Sequence, residues 1–166
     1  MTQAPSEPSE RGPGFWAWVL GNATSVGACR FSLFLLRLMV GAIFIAHGGQ
    51  KAFGWLGGKG FEATKQMVAS LQFLGDASLK LPYPEVFAVL LIVGELGGGA
   101  GLVLGFATRL AALMTAVVMG VALTSVHYGQ GFLETHLQQM LLAASLALLV
   151  SGGGWLTVWP GRKREL

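Results

Sequence analysis

Residues 37–51 read RLMVGAIFIAHGGQK, and the fold turns on whether that stretch lies in water or in lipid. On a soluble helix, an arginine at one end and His47, Gln50 and Lys51 at the other would be routine. The surrounding chain argues for lipid. Of its 166 residues, 53% are hydrophobic and only 11% charged, less than half the roughly 25% usual in soluble domains. The mean hydropathy is +0.61. A surface this poor in charge cannot be mostly wetted, and within hydrocarbon each polar group needs a partner or a function.

Working outward, four apolar stretches stand out, at about residues 31–53, 85–105, 109–129 and 133–151. Each is close to the roughly 20 residues that a spanning helix needs. They are runs of Leu, Ala, Val and Met without two-residue alternation, so helices rather than barrel strands satisfy their backbone. The expected fold is all-α: an integral membrane four-helix bundle, up-and-down, occupying residues 15–161. Residues 1–14, with Glu7 and Glu10 and no early basic cluster, read as a disordered tail. Residues 15–28 carry Trp16 and Trp18 but are too short to span, which predicts an interfacial segment before the first span. Residues 162–166 form a basic tail.

The first connection is long. Within it, residues 61–74 space Phe61, Met67, Val68, Leu71 and Leu74 helically, with Glu62 and Lys65 between them. That pattern predicts an amphipathic helix on the membrane or capping the bundle. Arg11, Arg30, Arg109, Arg162, Lys163 and Arg164 fall on one side, against Lys51, Lys59, Lys65 and Lys80 on the other. The bias favours both termini in the cytoplasm. These charges read as an orientation signal, so the expected partner is the lipid bilayer and not a nucleic acid.

Up-and-down parity places His47, Lys51, Glu85, His127, Glu134 and His136 on one side of the membrane. Taking His47 and Glu85 as level, Arg37 and Glu95 each lie ten residues, about 15 Å, below that surface. Two charges at midplane predict an ion pair between Arg37 and Glu95, since an isolated one costs about 3 kcal/mol. On a helical wheel Lys51, His47 and Gln50 lie about 40°, 80° and 140° from Arg37, so this helix presents one polar wall. Arg37, His47, Gln50, Lys51, Glu95 and His127 form the candidate polar pocket. In the second span Gly94, Gly97, Gly98, Gly101 and Gly105 recur at spacings that let helix backbones approach closely, and they read as packing positions.

Two stretches, RLMVGAIFIAHGGQKAFGW at 37–55 and GELGGGAGLVLGFATRLAA at 94–112, followed by His127, resemble the DoxX family of small bacterial membrane proteins. The likeness runs from Arg37 to about Phe132, and the last helix matches mainly by hydropathy. It implies a four-helix fold in the bacterial inner membrane and marks Arg37, His47, Lys51, Glu95, Arg109 and His127 as matching its polar pattern. The family includes proteins associated with thiosulfate:quinone oxidoreductase and with membrane complexes handling thiols and oxidative stress. The resemblance therefore implies the membrane subunit of a quinone-linked oxidoreductase, acting with other subunits, with quinone as a substrate. It assigns no catalytic residue.

Two other readings compete: a non-catalytic scaffold whose contact surface is residues 61–74, and a small-molecule transporter. No cofactor is required. A haem between His47 and His127 is disfavoured, although their helices end on the same side. A metal site is not expected, because Glu134 and His136 are two apart where a bundle di-metal motif needs Glu-x-x-His. With one cysteine, Cys29, no thiol–disulfide relay can run within the chain.

Overall fold

The computed structural model describes residues 25–71 and 81–158. All described regular structure is helical. Helix α1 is Val26–Phe53, α2 Gly60–Ala69, α3 Pro84–Leu104, α4 Thr108–Thr124 and α5 Phe132–Ser151, with a single 3₁₀ turn, Trp55–Gly57, after α1. The expected tails at 1–14 and 162–166, and the interfacial segment up to residue 24, lie outside the described residues.

Sequence explains where each helix stops. The Ser25 hydroxyl caps the start of α1 by accepting from the Ala28 N–H at 3.1 Å. That cap starts the helix five residues earlier than hydropathy alone predicts. Gly54, at φ +73°, closes its far end with its N–H on the Gln50 carbonyl, a left-handed cap that glycine adopts without penalty. Pro84 opens α3 at the first helical position, where its missing N–H costs nothing.

Helix α4 ends at Thr124, five residues short of the predicted 109–129 span. There the Thr124 hydroxyl donates to the Gly120 carbonyl at 2.9 Å and the Ser125 hydroxyl to that of Val121 at 2.6 Å, competing with the backbone ladder. His127 therefore lies in the turn beyond α4 and not on its last turn. Helices α1, α3 and α5 are long and apolar enough to cross a membrane, whereas α4 has 17 residues.

Helix α1 packs along α3, α3 along α4 and α4 along α5, and α5 closes back on α1. The short α2 sits against both α1 and α3, with Thr64 and Val68 buried. The predicted amphipathic helix is thus present at 60–69, and the part of its expected range beyond residue 71 lies outside the described residues. The core is small and aliphatic, built from Val40, Phe44, Leu102, Ala112, Leu141 and Leu148. Leu110, Leu113 and Val117 on α4 and Met140 and Val150 on α5 face outward and are exposed, as a lipid-facing surface requires. Between α4 and α5, the buried Thr115 hydroxyl donates to Ser145 at 3.0 Å, a polar tie of the kind that joins helices in lipid.

Close approach of α1 and α3 depends on Gly41 and Gly99. A Cβ on Gly41 would lie 2.7 Å from the Gly99 carbonyl oxygen, and one on Gly99 would lie 2.8 Å from that of Gly41. Gly94, Gly98 and Gly101 instead face α4, against Val118, Thr115 and Ala111. Two of the five predicted packing glycines differ. Gly97 has room, with Met114 Cε at 3.7 Å from an added Cβ, and Gly105, at φ +69°, is the left-handed cap of α3.

Candidate functional site

The register between α1 and α3 decides which polar residues meet. Gly48 lies against Glu95 and Leu96, Gly41 against Gly99 and Leu102, and Gly105 against the Arg37 guanidinium. Hence Glu95 is level with Gly48, while Arg37 lies eleven residues, about 16 Å, further along α1. His47 is thus near the level of Glu95 and not of Glu85. Helix α3 runs about ten residues past that level, to where α2 packs. The predicted Arg37–Glu95 ion pair is therefore not formed.

Glu95 pairs with Lys51, from the last turn of α1, through its Oε1. The carboxylate is 1% exposed and the lysine side chain 25% exposed, so this ion pair runs from the interior toward the surface. Burying either charge alone is expensive, and mutual pairing is what makes it tolerable. The Thr64 hydroxyl on α2 donates to the Lys51 carbonyl at 3.2 Å, which ties α2 to this end of α1.

Arg37 solves its burial differently. It is 1% exposed, and its Nη1 and Nη2 donate to the Gly153 and Leu156 carbonyls, both at 3.0 Å. Its guanidinium also lies over the Phe34 ring at 5.4 Å. Helices α3 and α5 both end here, at Leu104 and Ser151. The converging partial negative charge of two C-termini offsets the cation. The same end is braced by the Trp155 N–H on the Arg30 carbonyl, the Val158 N–H on that of Gly105, and Arg109 on that of Val150.

At the opposite end a cavity of about 220 Å³ opens among all five helices. Its wall is mostly apolar: Phe44 from α1, Met67 from α2, Leu91 from α3, Met119 from α4 and Leu141 from α5. His47, Lys51, Glu95 and His127 also line it. Of the six predicted pocket residues these four line the cavity, and two do not. Arg37 is at the far end of the bundle. Gln50 is half-buried, with its carbonyl holding the Gly54 cap and its Cα packed against Gly58. Glu85, Glu134 and His136, expected on the same side, are exposed and line nothing here; the His136 Nδ1–H donates to the Leu133 carbonyl at 2.7 Å.

Two polar residues of the wall escaped the sequence reading, Ser125 and Gln138. Neither is ionisable, so a search by charge passes over them. The signal available was the polar run ETHLQQ at 134–139, opening an otherwise apolar helix. Gln138 Nε2 donates to His127 Nε2 at 3.1 Å, and His127 Nδ1 contacts Gln130 Oε1 at 2.7 Å. The His47 Nδ1–H donates to the Ile43 carbonyl at 2.9 Å, which leaves its Nε2 lone pair free in the neutral ring. Outside the spans, Lys65 donates to Glu62 at 2.6 Å, and that hydrogen bond holds the Lys65 ammonium above the ordinary lysine range. Among the described residues no three His, Cys, Asp or Glu side chains group to hold a metal.

The chain is 28% identical over 127 residues to "Putative oxidoreductase CatD" of Bacillus subtilis (strain 168), covering 76% of this chain and 83% of that protein. No solved structure matches significantly. The model of the DoxX family matches residues 32–128, which takes in α1 from its second turn, all of α2, α3 and α4, and the turn bearing His127. The protein belongs to the DoxX family.

Proposed function

We propose that this protein is the membrane subunit of an oxidoreductase, and that the cavity beside Lys51 and Glu95 takes a quinone-class ring. The observation that carries the reading is the ion pair of Lys51 with the buried Glu95 on the wall of a mostly apolar cavity. An aromatic ring with two polar oxygens on its edge fits a wall divided in that way. At about 220 Å³ the space suits one substituted ring, given that benzene occupies an apolar cavity of about 150 Å³. The oxidoreductase name carried by the Bacillus relative agrees. Interconverting a quinone and a quinol moves two electrons and two protons. The electrons fall to another subunit, and this chain would bind the ring and offer His and Glu groups to protons.

Arg30 and Arg109 lie at the Arg37 end of the bundle. In a bacterial inner membrane the positive-inside rule puts that end in the cytoplasm and the cavity toward the outer face. Titration of the purified protein with 2,3,5-trimethyl-1,4-benzoquinone, followed by tryptophan fluorescence, tests the reading. Saturable quenching that competes with a tailed quinone is expected. Absence of binding, together with no effect of the protein on quinone reduction by its native membranes, would overturn it and leave a scaffold that pulls down a partner, or a transporter active in liposomes.

A further inference from the structure

Two unpartnered buried oxygens on residues that line the cavity point to one oxidation state of its ligand. Glu95 Oε1 accepts from Lys51, but Glu95 Oε2 is buried and has no hydrogen-bond partner among the described residues. Gln138 Oε1, from α5, is in the same condition. Leaving a buried acceptor unsatisfied is costly, and more so when it is charged.

The donors nearby are spent. The His127 Nδ1–H goes to Gln130, its Nε2 accepts from Gln138, the His47 Nδ1–H goes to Ile43, and the Ser125 hydroxyl goes to Val121. Lys51 keeps two hydrogens, but a quarter of its side chain is exposed, so water reaches them. Glu95 carries the argument, since a carboxylate oxygen accepts whichever way the Gln138 amide is turned.

We infer that the cavity selects the reduced, dihydroxylated form of its ring, a quinol that donates one hydroxyl to Glu95 Oε2 and the other to Gln138 Oε1. A dione brings only acceptors. It would leave both buried oxygens unsatisfied, and only the remaining Lys51 hydrogens could meet its carbonyls. A metal cation is a poor alternative, because Lys51 already supplies the positive charge beside Glu95. This inference rests on the quinone-class reading of the cavity and adds which redox form the protein holds more tightly.

The test is anaerobic calorimetry on the full-length purified protein with three ligands of one shape: 2,3,5-trimethylhydroquinone, the corresponding quinone, and the hydroquinone dimethyl ether. Hydroquinone binding about tenfold or more tighter than the other two is expected, the size of one hydrogen bond to a charged group. A quinone or ether that binds as tightly as the hydroquinone overturns the inference and leaves the cavity reading intact. Failure of all three to bind removes both. The wild-type comparison decides without any variant. As a second arm, the Lys51→Met/Glu95→Leu double variant removes the pair together, and the preference for hydroquinone should vanish. A retained tenfold preference there would also overturn the assignment to Glu95.

Discussion

Lys51 and Glu95 pair across α1 and α3 at a level where Glu95 is buried and Lys51 still reaches water. The asymmetry has an energetic consequence. Removing the lysine strands a carboxylate at 1% exposure, whereas removing the carboxylate leaves an ammonium that can extend to the surface. Lys51→Met should therefore cost about 3–5 kcal/mol, and Glu95→Leu distinctly less. The Lys51→Met/Glu95→Leu pair should recover most of the loss, since a buried ion pair can often be replaced by apolar groups of like volume. Thermal unfolding of the four proteins in one detergent checks the ranking, and a Glu95→Leu cost equal to that of Lys51→Met would refute it.

Arg37 holds the C-terminal segment through two carbonyls on Gly153 and Leu156. The two-pronged geometry belongs to guanidinium, and a lysine ammonium cannot reproduce it. Arg37→Lys should thus behave nearly as badly as Arg37→Met, each losing about 2–3 kcal/mol, the scale of hydrogen bonds to a charged group. Limited proteolysis should show cleavage after residue 152 appearing in both variants before the bundle itself is cut. Protection of that segment in Arg37→Lys would count against the clasp.

At the α1–α3 crossing, Gly99→Ala places a methyl 2.8 Å from the Gly41 carbonyl oxygen. The helices must part, at a cost of about 1–3 kcal/mol. Gly97→Ala and Gly120→Ala meet no such obstacle, the first touching only Met114 Cε at 3.7 Å and the second nothing within 4 Å. Each should stabilise by roughly 0.5–1 kcal/mol by reducing helix backbone entropy. Melting temperatures falling for the first variant and rising for the other two is the expected pattern.

Orientation has a built-in reporter. Cys29 is the sole cysteine, exposed in the first turn of α1 at the end that bears Arg30. With that end in the cytoplasm, a membrane-impermeant maleimide should label inverted vesicles and spare intact spheroplasts. The opposite labelling pattern would reverse the orientation and turn the cavity toward the cytoplasm.

Helix positions and their parity were legible because hydropathy and length dictate them, and parity holds whatever the offset between helices. The offset itself was not legible. Hydropathy places a helix in the membrane to within a turn or two, yet the partner of Arg37 depends on whether Glu85 or Glu95 is level with Gly48. Close glycine contacts, read from the backbone, settle that register, and Gly41 contributes one of them from outside the run of α3 glycines that read as packing positions. Gln138 was hidden for a chemical reason. An uncharged amide near a helix start looks like an interfacial residue until His127, folded back from the turn, is found beside it.

The early stop of α4 has a consequence for the bilayer. Seventeen residues give about 26 Å of helix, whereas the 28 of α1 give about 42 Å, against a hydrocarbon slab of about 30 Å. One slab cannot match both, so α1 must tilt while lipid thins beside α4. Thinning on that flank brings the headgroup plane down toward Ser125 and His127, and so toward the cavity they line.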